Sequence, residues 1–571
     1  VHQQLIDAIA KATNLPQEQV VKFLTRPKDL SHGDISFACF AIAKAAGSPP
    51  PQVASDLAQK IPLPAGVDRC QAVGPYINFF LNRAANTQAV IGEILKRGKR
   101  VGEKPQRNET IVIDYSSPNI AKPFHVGHLR TTLIGLSLDR LFRHRGYKVV
   151  AVNHLGDWGT QFGFVWVGYV AAGKPETFTI DELVDYYIAA NKQKKQPAGQ
   201  GGQESEEGID QTTGAARDFF LRLEAGEDEA LEFWQKCLGI SVSYLKKFYT
   251  RLGIQFDEYQ GESFYRPMLA EIEQMIKNSG ILENSEGALG IDCGKKLGFA
   301  RIFSEDGRSL YITRDVACAV FREEEYKPSR ILYVVASQQS LHFQQLKMIM
   351  ERLKHPSAEK IVHVGFGFVP GMKTRDGGAI ALKEFLDEAK ARAETVYKEQ
   401  VETRPEGVDQ EAVAEAVAIG AMYFYFLNHS NIKDFQFRWD EALNFQGDSG
   451  PYLQYTVARL NSIEAKARES GIVAEPDFDG SLLSEDSVRE LVTLLSQFDE
   501  VLEKIERDYE PNHLAELLLG ISRAFNRAYR ELRVVGQETP LAVARLSLFQ
   551  ATRTVLSTGM HLIGVPVIER M

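Results

Sequence analysis

Residues 111–130 read Ile-Val-Ile-Asp-Tyr-Ser-Ser-Pro-Asn-Ile-Ala-Lys-Pro-Phe-His-Val-Gly-His-Leu-Arg. The apolar run Ile111–Ile113 has the form of a buried parallel strand. Leu129 to Arg145 carries Leu133, Leu136, Leu138, Leu141 and Phe142 at helical spacing and stops at Gly146. A second strand, Lys148 to Val152, follows at once. His125 and His128 therefore sit where a strand hands over to a helix, at the end of a parallel sheet where α/β folds bind nucleotides. A helix start offers free N–H groups and a positive dipole end to phosphate. Gly127 removes the side chain that would block close approach of a flat base. Two histidines three apart also suit zinc, but no Cys or Glu-x-x-His partner stands nearby, and no metal site is expected.

Outward from this stretch, the chain divides. A length of 571 residues allows about three or four domains. Residues 1–107 read as a separate α/β module, with helical patterns at 3–12 and 52–60 and a strand-like Ala72 to Leu81. Lys96 to Arg107 reads as a linker. A parallel-sheet nucleotide-binding domain is expected over 108–385, interrupted at about 164–290 by a mostly helical insertion. The sheet is expected to resume with Ala300–Phe303 and to continue with Ile331–Val335 and Ile361–Val364. Asn191 to Thr213 is almost devoid of apolar residues and reads as mobile. A helical connector (386–440) and an all-helical domain (441–571) complete the chain.

Composition excludes several classes. No stretch approaches the ~18 apolar residues of a membrane helix, and the start lacks the form of a signal peptide. Five scattered cysteines, never in Cys-x-x-Cys pairs, fit reduced thiols in a cytoplasm. A net charge of −9 argues against bulk attraction to nucleic acid. Locally, however, Arg523, Arg527, Arg530 and Arg533 recur at spacings that place them on one helix face. That face serves either solvent or RNA.

Ser116 to His128 resembles, nearly residue for residue, the first signature of arginyl-tRNA synthetases, class I enzymes with a His-x-Gly-His motif. The resemblance extends to both ends of the chain and implies a Rossmann-type catalytic domain, an N-terminal tRNA-binding module and a helical anticodon-binding domain. It implies activation of L-arginine with ATP and Mg2+, transfer to tRNA, a tRNA requirement for activation, and a monomer. A nucleotidyltransferase with the same motif would leave the flanking modules without purpose. A non-catalytic tRNA-binding relative would have lost its histidines or the Tyr311/Asp315 pair.

The resemblance also assigns residues. His125, His128 and Gly127 face ATP. The second signature loop corresponds to Gly371 to Gly378, where Thr374 stands at the usual catalytic lysine position. Met372, Lys373, Thr374 and Arg375 would then lie along ATP, and the missing cation falls to Arg375 or to Lys122. We expect Lys122, three residues before His125, to supply it. Tyr311 and Asp315, four apart on a helix, would converge on the guanidinium, which never deprotonates and calls for an anionic acceptor. Asp114, Asn119, His125 and Gln339 would surround the rest of the amino acid. Asn153 to Gln161 would wall the site. Tyr76 and Asn78 would read a splayed tRNA base, and Tyr452, Gln454, Tyr455, Arg523 and Arg527 would meet the anticodon side.

Overall fold

The structure is a computed structural model that describes residues 2–27, 29–120, 124–192, 211–285, 288–303, 310–370, 380–400 and 407–571. The N-terminal module pairs β1 (Leu24–Thr25), β2 (Ile35–Ala38), β3 (Val67–Val73) and β4 (Tyr76–Leu81) as an antiparallel sheet of order β1-β2-β4-β3. The single strand expected over Ala72–Leu81 is thus two. Gly74, at φ +54°, starts a two-residue turn with Pro75 that folds the chain back on itself. Leu5, Ile9, Phe37, Ile77 and Phe79 close the core of this module.

The central sheet begins with β5 (Thr110–Asp114), whose last four residues are all buried. Strands covered on both faces read as near-continuous apolar runs. β6 (Lys148–Asn153) and β7 (Glu258–Tyr259) extend the sheet on one side of β5. β8 (Glu283–Ser285), β9 (Ala288–Asp292) and β10 (Phe299–Phe303) form a separate antiparallel sheet. β11 (Arg330–Ala336) and β12 (Ile361–Phe366) extend the other side of β5, giving a fully parallel order β12-β11-β5-β6-β7. Ala300–Phe303 therefore does not resume the parallel sheet as expected. The turn at Gly294, at φ +88°, pairs β10 with its immediate neighbour before it can reach the larger sheet.

The chain runs outward from β5 in both directions, so strand order reverses between β5 and β11, and a crevice opens at the carboxyl ends of these strands. Three helices frame it: α1 (Leu129–His144), α2 (Tyr311–Tyr326) and α3 (Ser340–Arg352). Between β6 and β7 the described chain is helical, including Gln161–Ala171 and Asp228–Arg251. Most of the segment expected to be mobile, 193–210, lies outside the described residues.

From Gln410 onward the chain is helical. From Val417 to Leu427 the helix Gln410–Leu427 is buried on every side, as that stretch without charged residues requires. α4 (Phe498–Asp508) and α5 (Asn512–Glu531) pack in a core that continues without a break into α1. The expected linker Lys96–Arg107 is pinned to this region. Lys104 meets Asp499 at 2.8 Å and Arg107 meets Glu506 at 3.3 Å. No helix among the described residues is long and apolar enough to cross a membrane.

Candidate active site

The turn after β5 is held in an unusual backbone. Ser116 (φ +72°) and Ser117 (φ +45°) are consecutive non-glycine residues in the left-handed region, which costs free energy that the surroundings must supply. Threonines of α1 supply it: Thr131 Oγ1 accepts the Ser116 N–H at 3.1 Å, and Thr132 Oγ1 donates to Ser116 Oγ at 2.9 Å. Ser116 Oγ also lies 2.8 Å from the Tyr249 hydroxyl. The turn is thereby locked against the helix that the histidines lead into. Beside it a cavity of about 840 Å³ opens. Asp114, Asn119, His125, Gly127, His128, Tyr311, Asp315 and Gln339 all line it, so the structure brings every described arginine-side and ATP-side candidate into one space.

One end is acidic, and each carboxylate there has a nitrogen partner. Asp114 Oδ2 accepts from Arg322 at 2.7 Å, and the two side chains are 6% and 0% exposed. Asp114 Oδ1 accepts the Ser117 hydroxyl at 2.8 Å. Asp315 Oδ2 lies 2.8 Å from His342 Nε2, which comes from α3. Tyr311 is more than half exposed and stands one helical turn before Asp315, its ring 5.8 Å from that of His342. Glu262 pairs with Arg314 at 2.7 Å, and burial raises its carboxyl above the usual range, with Arg314 opposing. Buried carboxylates survive only when paired or hydrogen-bonded, and here every one is.

The other end centres on two imidazoles and backbone groups, with Arg130 and Asp434 also lining the cavity. His125 Nδ1 accepts the Gly127 N–H at 3.1 Å, which places the imidazole proton on Nε2. Burial lowers the His125 pKa, so the ring is neutral at physiological pH. The two imidazoles lie 4.0 Å apart, with Phe124 stacked beneath His128. A Cβ on Gly127 would meet the His125 ring at 2.8 Å. The chain beyond the second signature loop returns to this edge: Val126 N–H donates to Ile380 O at 3.2 Å and Leu382 N–H to Phe124 O at 2.8 Å. Lys122, Met372, Lys373, Thr374 and Arg375 lie outside the described residues.

The RNA-side candidates divide. Tyr76 is exposed and meets Phe40 edge-on at 5.7 Å. Asn78 is 5% exposed, and its Oδ1 accepts the Ser36 hydroxyl at 2.6 Å and so braces the sheet. Gln454 is fully buried and donates to Ala416 O and Pro566 O, so its side chain is not presented to RNA. Tyr452 and Tyr455 are half-buried, their hydroxyls accepting from Asn526 and Arg459. Arg523 and Arg527 are exposed and paired with Asp448 and Glu490. Arg533 lies beyond the end of α5, so the basic helix face stops at Arg530.

His342 and Glu262, which line the cavity, and Arg322, which backs it through Asp114, escaped the sequence reading; His154, within the expected wall, lines it with an Nδ1 buried without a hydrogen-bond partner. Arg322 left a trace, standing seven residues after Asp315 in an otherwise apolar run of α2. His342 left none, because its partner lies on another helix.

Comparison with known proteins matches three family models along the chain. They are the Arginyl tRNA synthetase N terminal domain at 1–81, tRNA synthetases class I (R), catalytic domain at 90–439, and the DALR anticodon binding domain at 453–571. The chain is 36% identical over 581 residues to an arginine–tRNA ligase of Halothermothrix orenii, covering 100% of this chain and 99% of that protein. It is 36% identical to that of Lactococcus lactis, covering 97% and 96%. Among solved structures, the arginyl-tRNA synthetase of Thermus thermophilus superposes with a TM-score of 0.82 at 25% identity over the whole of both chains. The Plasmodium falciparum enzyme shares the fold at 0.83 and 23%, covering 100% of this chain and 98% of that one. With a catalytic-domain model spanning more than half its length and relatives aligned from end to end, the chain belongs to the class I arginyl-tRNA synthetase family.

Proposed function

We infer that the protein joins L-arginine to its tRNA at the expense of ATP, first forming arginyl-adenylate and pyrophosphate and then esterifying the 3′ end of the tRNA. The observation that carries this reading is the two-ended cavity, with carboxylates at one end and a histidine-lined helix start at the other. In the first step the arginine carboxylate attacks the α-phosphorus of ATP in line with departing pyrophosphate. No covalent enzyme intermediate is needed, so positioning and electrostatics supply the rate.

In our assignment Asp315 and Tyr311 take the guanidinium, with Glu262 as a second carboxylate on the same wall. Asp114, Asn119 and Gln339 orient the ammonium and carboxylate. His125 Nε2–H and His128 hold the phosphates and ribose, and Gly127 leaves room for the base. Lys122 supplies the cation that Thr374 cannot. Mg2+ arrives with ATP as part of the substrate; among the described residues no cluster of three His, Cys, Asp or Glu side chains could hold a metal. Tyr76 stacks on a tRNA base, while Arg523, Arg527 and Tyr455 edge the anticodon side. The working division is 1–107, 108–385, 386–440 and 441–571. Five free cysteines support a reducing, cytoplasmic setting, and the family resemblance favours a monomer.

Pyrophosphate exchange measured with each amino acid, with and without tRNA, tests the reading. Exchange should depend on arginine and rise sharply with tRNA. Exchange driven equally by lysine or another amino acid would sink the specificity assignment.

A further inference from the structure

Arg130 is the second residue of α1, two positions after His128, and it is 2% exposed. Its Nη1 donates to Gly367 O at 2.8 Å and to Phe368 O at 3.4 Å. Its Nη2 donates to Ser430 O, Asn431 O and Lys433 O at 3.0, 2.7 and 2.8 Å. The guanidinium lies over the Phe435 ring at 4.7 Å. Every direct acceptor is a neutral carbonyl. Burial lowers the Arg130 pKa to about 10, with Asp434 and Glu510 opposing from a distance. A buried cation without a carboxylate partner is costly, and a neutral side chain would have filled the space more cheaply.

The arrangement of its acceptors points to a use. Gly367 and Phe368 are the chain leaving β12 toward the second signature loop. Residues 430–433 belong to a loop that the C-terminal helical region grips. Glu510, in the turn between α4 and α5, accepts the Asn431 N–H at 2.7 Å and the Ser430 hydroxyl at 3.2 Å. Asn431 Nδ2 donates to Tyr509 O at 2.8 Å. Asn431 O in turn accepts the Gly367 N–H at 2.8 Å, and Asp434 Oδ1 accepts the Phe368 N–H at 2.6 Å. Three separate segments thus meet at one guanidinium: the helix that follows the histidines, the end of β12, and a loop held by the C-terminal helices.

We propose that Arg130 is a positioning residue through which the C-terminal helical region sets the ATP edge of the cavity, along Glu510, Asn431, Arg130 and Gly367. The fork of the guanidinium fixes two backbone segments at once, which a point-charge ammonium cannot do. A displacement of the α4–α5 turn therefore moves Gly367 and Phe368, where the chain leaves β12, relative to His125 and His128. This inference rests on the assignment of that edge to ATP.

A double-mutant cycle on the full chain tests it, with pyrophosphate exchange read at saturating tRNA. Glu510→Gln removes the charge and one acceptor outside the cavity; it should lower kcat by about three- to tenfold and leave the arginine KM within about twofold. Arg130→Lys should lower kcat by about thirtyfold with the same KM pattern. The double variant should fall no further than Arg130→Lys, within about twofold, because both act on one path. Multiplying effects, an unchanged kcat for Glu510→Gln, or a loss confined to the arginine KM would overturn the proposal. If Arg130→Lys fails to fold, Ser430→Ala paired with Glu510→Gln replaces it, with the same shared loss expected and multiplication again fatal. His125→Ala is measured alongside. A loss there with none at Glu510 refutes the relay and leaves the ATP edge standing, whereas no loss at His125 refutes the edge assignment itself.

Discussion

The two ends of the cavity are built on opposite principles. At the acidic end, charges are desolvated and then locked by partners on neighbouring elements: Asp114 by Arg322, Asp315 by His342, Glu262 by Arg314. At the histidine end, a neutral imidazole is oriented by backbone hydrogen bonds within three residues of sequence. The first suits a substrate whose charge never changes and must be told from similar amino acids. The second suits a reaction in which charge develops on phosphate oxygens and positioned donors are rewarded only in the transition state. Damage to the acidic end should therefore appear in arginine binding or in stability, and damage to the histidine end in turnover.

Arg322→Met attacks the most deeply buried pair and should have the largest effect. It strands the Asp114 carboxylate, which typically costs about 3–5 kcal/mol. Thermal denaturation should show a drop of several degrees, and a variant as stable as the parent would mean that Asp114 is solvated in some way the pairing does not reveal. Next, His125→Ala or His128→Ala should lower the activation rate by about a hundredfold with little change in arginine KM. Steady-state pyrophosphate exchange separates the two parameters, and a loss confined to KM would erase the distinction between the ends. His342→Ala frees Asp315 to move without removing its charge. We expect the arginine KM to rise by about tenfold and the ATP KM to stay put. Equal changes would make His342 a packing residue.

The smallest expected effect concerns pH. Burial lowers the values of His125, His144, His363, His429 and His561 in the folded protein. Their contribution to stability is complete above the unfolded value of about 6.5 and is lost as pH falls through the folded values. Burial acts the same way on His154, but Cys318 and Asp114 raise its value to about 9, so it works against the trend and trims it. The melting temperature should fall between pH 7.5 and 5.5, and a rise over that range would contradict the balance.

The sequence carried the histidine end well because its geometry is local. The run from Ile111 to Arg130 contains strand, turn and helix start in order, and Tyr311 and Asp315 share a helix face by spacing alone. What was not legible depends on tertiary neighbours. Nothing near Asp315 in sequence announces His342, which reaches it from α3. The resemblance made Asn78 and Gln454 RNA-side candidates, yet Gln454 is fully buried against Ala416 O and Pro566 O, and the Asn78 Oδ1 is taken by Ser36, partners that come from elsewhere in the chain. Ala300–Phe303 has the composition of a core strand, and only the neighbouring turn decides which sheet it joins. The resemblance to a family transferred the identities of residues but not their exposure, and exposure decides which polar side chain can meet a ligand.

The contrast between the two ends comes down to Asp315. A charge-assisted contact to a guanidinium is worth roughly 1.5–3 kcal/mol, or about ten- to a hundredfold in binding. Pyrophosphate exchange by Asp315→Asn at saturating tRNA, with arginine and ATP varied independently, should raise the arginine KM by that factor and leave the ATP KM within about twofold. An equal rise for both substrates, or an arginine KM left unchanged, would contradict the assignment of the acidic end to the guanidinium.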